Sequence, residues 1–157
     1  MGFHTLRAIA GALILQSLNA NAVCGSWSQQ THGPTITTGL NYYRSPAIKM
    51  PSRLSGKTKT INVSWRILTS SVPHGLTIEL CTHYRCQTLP NLHGSMSLPT
   101  GYSIQNAYFF RYKIKNRGQL HPAIFVIKNS LTINYCQFKK AMKIQKKHSY
   151  ENARLRN

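Results

Sequence analysis

Apolar and polar positions alternate with a period of two along most of this chain. Ile61, Val63, Trp65 and Ile67 alternate with Asn62, Ser64, Arg66 and Leu68, a spacing that turns one side of a strand toward a core. Leu76, Ile78 and Leu80 repeat the pattern after a Pro73-His74-Gly75 turn. From Ala107 to Lys115, Phe109, Arg111 and Lys113 share one side, while Tyr108, Phe110, Tyr112 and Ile114 share the other. Asn116-Arg117-Gly118 is a turn signal, so this strand and Ala123–Ile127 are predicted to pair as a hairpin. Leu131, Ile133 and Tyr135 close the series, and shorter strands are expected at Gly25–Gln30 and Thr35–Tyr43. Ser45 to Lys59, with two prolines, Gly56 and four basic residues, reads as a loop. About seven to nine short strands separated by turns predict an all-β fold, an antiparallel β-sandwich in a single domain.

The two ends differ from this pattern. His4 and Arg7 precede an apolar run from Ala8 to Leu15, and Ala20-Asn21-Ala22 has the small-x-small form of a signal-peptidase site. Residues 1–22 are therefore expected to be a cleaved Sec-type signal peptide, too short in its apolar run to span a bilayer. The sandwich is expected over residues 23–136. Residues 137–157 carry Lys139, Lys140, Lys143, Lys146 and Lys147 and read as a basic tail, disordered or a short helix.

Charge narrows the partners. The 157 residues hold 20 Lys and Arg against 2 acidic groups, Glu79 and Glu151, for a formal net charge of +18. Such a chain is drawn to anionic partners, and export directs it away from nucleic acid and toward phospholipid headgroups, lipopolysaccharide or acidic protein faces. The tail lysines are the expected contacts to an anionic membrane surface.

Catalytic chemistry lacks its parts. Paired-carboxylate hydrolysis needs two acids flanking one bond, whereas Glu79 sits in a strand and Glu151 in the tail. A Ser-His-Asp arrangement lacks its aspartate, and no phosphate-binding glycine loop is present. The expectation is a non-enzyme without cofactor or metal. Cys81-Thr82-His83-Tyr84-Arg85-Cys86 could imitate part of a zinc set with His93. In an exported chain, however, Cys24, Cys81, Cys86 and Cys136 read as a disulfide framework with three possible connectivities. Strands on either side of the loop between Cys81 and Cys86 would set those two at bridging distance.

Taken in order, Gly25-x-Trp27, Trp65-Arg66, Gly75-Leu76, Leu80-Cys81-x4-Cys86-x2-Leu89, Gly118-x-Leu120-x-Pro122-Ala123 and Ile133-Asn134-Tyr135 resemble the FlhE proteins of flagellated enterobacteria. The resemblance implies a periplasmic β-domain, accessory to flagellar assembly and swarming, that limits proton leakage at the export apparatus. Its implied partner is a flagellar export or basal-body protein, and it carries over no catalytic residues. The Cys24 and Cys136 pair and the basic tail are additions to that pattern, and the pair is expected to join the two ends of the domain. Two other functions fit a small, basic, disulfide-bonded exported chain: a periplasmic inhibitor of a cell-wall lytic enzyme, and a cationic binder of anionic envelope surfaces. Mass spectrometry of periplasmic material is expected to find a chain beginning near Val23; an intact Met1 would overturn the signal-peptide assignment.

Overall fold

The computed structural model describes residues 22–50, 57–99 and 102–138. The signal segment and the tail lysines lie outside the described residues. Within them the chain forms nine strands and no helix. They are β1 (Ala22–Thr31), β2 (Thr35–Thr38), β3 (Tyr42–Arg44), β4 (Lys57–Thr69), β5 (Leu76–Cys81), β6 (Cys86–Leu89), β7 (His93–Met96), β8 (Phe109–Ile114) and β9 (Gln119–Phe138). Two antiparallel sheets result. Sheet I has the order β1-β9-β4-β7, with β2 also on β9, and sheet II has the order β3-β8-β5-β6.

The core lies between the two sheets because each turns one side of its strands inward. Val63, Trp65 and Ile67 of β4 are buried, as are Ile124, Val126, Leu131 and Ile133 of β9. From sheet II come Ile78 and Leu80, and Phe110, Tyr112 and Ile114 of β8. Such burial of large apolar and aromatic side chains, at about 1.5–3 kcal/mol each, is the main favourable term in folding.

β9 is one continuous strand of 20 residues, where the alternation reads as two. The inward positions are Ile124 and Val126 on one side of residues 127–128 and Asn129, Leu131 and Ile133 on the other, so the phase changes once. Opposite, Leu68 pairs with Lys128 but Thr69 pairs with Val126. Ile127 is the extra residue of a bulge, which resets which face is buried without ending the strand. On the other edge, Thr31 pairs with Asn129 and Thr35 with Phe125, so β1 and the start of β2 keep one register along β9, which shifts between Ile36 and Thr38. Gly33 and Pro34 interrupt their ladder, yet the Gly33 amide donates to Val126 O (2.9 Å) and the Val126 amide to Pro34 O (3.0 Å). Proline is tolerated there because an edge strand has no second neighbour to serve.

Four sequence expectations need correction. The segments around Asn116-Arg117-Gly118 do not form a hairpin: β8 pairs with β3 and β5, whereas β9 pairs with β1, β2 and β4. The turn instead carries the chain from one sheet to the other, since Tyr112 and Ile124 must both face the core. The segment Thr35–Tyr43 is likewise two strands in different sheets. Their link crosses beside the same turn, where Gly39 N donates to Gly118 O at 2.9 Å. A Cβ on Gly39 would overlap the Asn116 carbonyl, so only glycine fits this double crossing. Tyr43 closes the corner: its hydroxyl accepts from the Thr38 amide at 2.8 Å and donates to Thr38 O at 3.2 Å. Third, the supposed loop at Ser45–Lys59 contributes buried Ser45 and Ile48, and its last residues already belong to β4. Fourth, β7 was absent from the pattern because His93-Gly94-Ser95-Met96 contains no β-branched residue. It pairs with β4, and Gly94 is opposite Trp65, whose ring occupies the space a Cβ would need.

Tyr112 donates its hydroxyl to Asn129 Oδ1, and Asn129 Nδ2 donates to His32 O at 3.4 Å. This polar link joins β8 of sheet II to β9 of sheet I through fully buried groups. Burial pushes the Tyr108 and Tyr112 phenols well above their ordinary value of 10.0. Above pH 10 the unfolded chain ionises these phenols while the folded chain holds them neutral, so it is the unfolded state that gains. Stability is thus complete below pH 10 and falls as the pH rises beyond it. In thermal melts, Tyr112→Phe is expected to cost about 1–3 kcal/mol at neutral pH, by leaving Asn129 short of a donor, and to flatten the alkaline loss. An unchanged neutral melting temperature and an unchanged alkaline slope would contradict this account.

Candidate functional site

The outer face of sheet II gathers side chains from three strands. In β8, Phe109, Arg111 and Lys113 alternate with the buried positions and point outward. β3 sets Tyr42 opposite Lys113 and Arg44 opposite Arg111, and β5 sets Glu79 opposite Arg111. The rings and cations on this face are matched. The Arg44 guanidinium lies 3.6 Å from the centroid of Phe109, and Arg111 and Lys113 lie 4.4 and 4.7 Å from that of Tyr42. Exposed contacts of this kind are worth about 0.5–1 kcal/mol each. Their larger effect is to hold long, mobile cationic side chains against the sheet, reducing the entropy lost when an anion binds.

Glu79 is the only carboxylate among the described residues, and it is committed. Arg111 Nε donates to Glu79 Oε2 at 2.7 Å. That hydrogen bond, more than the accompanying Coulomb attraction, raises the Arg111 pKa. Both side chains are partly exposed, so the pair contributes under about 1 kcal/mol to stability. Arg44 and Lys113, along with Lys49 nearby, have no carboxylate partner among the described residues. At one end of the face a pocket of about 260 Å³ is lined by Arg44, Lys49, His83, Tyr84 and Phe109, among others. Tyr84, at the tip of the β5–β6 hairpin, is 83% exposed. The arrangement can bind anions; it offers no nucleophile held by a base.

A second concavity, of about 670 Å³, opens where the Val72–Leu76 turn approaches the Leu89–His93 segment. Its walls include Leu76, Ile78, Leu89 and Leu92, with His74 and His93 at exposed positions. Trp65 braces this segment by donating its indole N–H to Asn91 O at 2.9 Å.

Both cysteine pairs are bonded. Cys81 and Cys86 are directly opposed in the β5–β6 hairpin, with Cα atoms 4.0 Å apart and a sequence separation of 5. Cys24 and Cys136 are opposed in the β1–β9 ladder, with Cα atoms 3.9 Å apart and a sequence separation of 112. One potential ligand cluster occurs among the described residues, Glu79 with Cys81 and Cys86. The disulfide consumes both thiols, and the Glu79 carboxylate faces Arg111. The tail residues Lys139, Lys140, Lys143, Lys146 and Lys147 lie outside the described residues, so the cationic groups that the structure brings together are others. Of these, the alternation of Phe109, Arg111 and Lys113 was visible in the sequence. Tyr42 and Arg44 were not, because their place beside β8 depends on the crossing at Gly39.

Comparison with known proteins agrees with this architecture. Residues 33–136 match the family model described as "Flagellar protein FlhE". The chain belongs to the FlhE family. It is 30% identical over 131 residues to the flagellar protein FlhE of Salmonella typhimurium, an alignment covering 79% of this chain and 95% of that protein. The flagellar protein FlhE of Salmonella typhi matches with the same identity and coverage. A crystal structure of FlhE superimposes with a TM-score of 0.62 at 25% identity, covering 71% of this chain and 96% of that one. Two disulfides in an FlhE-family chain fit an oxidising compartment outside the cytoplasm.

The two bridges are expected to differ in weight. Loop-closure entropy assigns about 2 kcal/mol to the short loop and nearly 5 to the long one, as upper guides. Cys136→Ser is therefore expected to lower the melting temperature more than Cys86→Ser. The reverse order would mean that the β1–β9 ladder tethers the N-terminal strand without its bridge.

Proposed function

We propose that this FlhE-family chain is a non-catalytic periplasmic accessory of the flagellum, delivered by Sec export, that supports assembly and swarming and limits proton leakage at the export apparatus. The family match over residues 33–136, which spans β2 to β8 and all but the last two residues of β9, carries this reading. The two disulfides support the compartment, and the tripartite pattern of residues 1–22 supports the route. The work it does is binding: the only described carboxylate is tied to Arg111, and the exposed chemistry is cationic and aromatic. Its partner in this reading is a flagellar export or basal-body protein. The basic tail, Lys139, Lys140, Lys143, Lys146 and Lys147 included, adds attraction to anionic leaflets at about 1 kcal/mol per residue close to the surface.

An in-frame deletion in the flagellated host tests the proposal. The deletion strain is expected to swarm poorly and to acidify its cytoplasm faster after a shift to low external pH, and expression of the full chain is expected to restore both. A deletion strain with normal swarming and normal internal pH would refute it.

A further inference from the structure

The outer face of sheet II has a spacing as well as a charge. Residues two apart on a strand repeat at about 7 Å, and neighbouring strands lie about 4.8 Å apart. Lys113, paired with Tyr42, is followed along the strand axis by Arg111, paired with Arg44. Next comes Phe109, which bears the Arg44 guanidinium, and beyond it the pocket holding Lys49 and His83. Lys113 and Arg111 are therefore rooted at the repeat of alternate side chains in an extended peptide, and Arg44 and Lys49 continue the row beside and beyond them. Four basic residues share the row with one acid, Glu79, which is bonded to Arg111. The rest of the chain cannot neutralise it, because the whole sequence holds only 2 acidic groups against 20 Lys and Arg.

We infer that this face, from Lys113 through Arg44 to Lys49, is a docking surface for an extended acidic segment of a partner protein, whose alternate carboxylates pair with these cations. Three observations favour a protein segment over a lipid surface. The strand positions that bear these cations have a fixed repeat that an extended peptide reproduces and a fluid leaflet does not. The Arg44 guanidinium carbon sits 3.6 Å from the Phe109 centroid and has no carboxylate partner among the described residues, so it can offer a carboxylate the bidentate geometry that arginine favours. The row ends in a recess of about 260 Å³, with room for a side chain rather than a flat interface. Fixing the cations on Phe109 and Tyr42 before binding lowers the ordering cost of each contact. The inference rests on the reading of this chain as a binding protein and names the class of partner.

Fluorescence anisotropy on the disulfide-bonded chain, residues 23–157, tests it with a short labelled peptide alternating Glu and Thr. Comparison peptides are one of the same composition with its glutamates grouped together and one alternating Gln and Thr. The paired variants are Arg44→Gln/Lys113→Gln, on the proposed face, and Arg66→Gln/Lys128→Gln, which removes the same charge from exposed positions in sheet I. The alternating acidic peptide is expected to bind tighter than both others. Its affinity is expected to fall roughly tenfold or more in the sheet II variant, equivalent to at least about 1.4 kcal/mol, and less than about twofold in the sheet I variant. Equal losses in the two variants, or equal binding of the alternating and grouped peptides, would reduce the effect to net charge and overturn the inference. So would a sheet II variant that loses binding to phosphatidylglycerol vesicles while peptide binding is unchanged. These measurements are made on purified protein, so a negative result leaves the motility phenotype standing, and a missing phenotype leaves the docking result standing.

Discussion

Strand β9 is the constraint on which the rest of the sandwich depends. It pairs along one edge with β1 and β2 and along the other with β4, so most of sheet I is registered against one backbone. Because side chains in a strand alternate, a slip of one residue would turn Leu131 and Ile133 outward and a polar set inward. The bulge at Ile127 permits one such phase change and confines it to a single place. There the inward set passes from Ile124 and Val126 to Asn129 and Leu131. Asn129 is the first inward residue after the bulge, and it meets the Tyr112 hydroxyl from the opposite sheet. A buried hydrogen bond of this kind is costly to leave unmade, so it helps fix how the two sheets face each other.

The disulfides act at the edges of this frame. Cys24–Cys136 fastens β1, an edge strand whose residues are mostly exposed, to the end of β9. An edge strand with few buried side chains gains little from the hydrophobic effect and is prone to fray or to find another partner. A covalent link there restrains a strand that packing secures weakly. Cys81–Cys86 closes the hairpin that presents His83 and Tyr84 at the end of the cationic face. One bridge thus secures the fold's perimeter, and the other shapes a loop bordering the candidate site.

Charge and fold meet on sheet II. The inward side of β8 is aromatic and apolar, while its outward side carries Phe109, Arg111 and Lys113. The same six residues therefore build the core and the cationic face, and neither can shift register without the other. Tyr42 and Phe109 offset some of the cost of concentrating cations by accepting them on their ring faces, and Glu79 offsets one more. Repulsion among the remaining cations would be relieved by the anionic partner proposed for this face, which would tie that affinity to ionic strength.

The sequence alone determined the class of fold, because period-two alternation at Ile61–Leu68, Leu76–Leu80 and Ala107–Lys115 has no helical reading. It also determined the outward set of β8 and the opposition of Cys81 and Cys86 across a short hairpin, both of which follow from local geometry. The tertiary structure decided what depends on which strands become neighbours. Alternation says which side of a strand is buried but nothing about its partner, so the Asn116–Gly118 turn looked like a hairpin although it crosses between sheets. The bulge in β9 disguised one strand as two, since a change of phase and a break in a strand leave the same trace in the pattern. β7 left no trace, being held by Trp65 rather than by its own propensity. The candidate site was half legible for the same reason: Arg111 and Lys113 belong to one strand, whereas Arg44 and Tyr42 join them only once Gly39 has carried the chain across the sandwich.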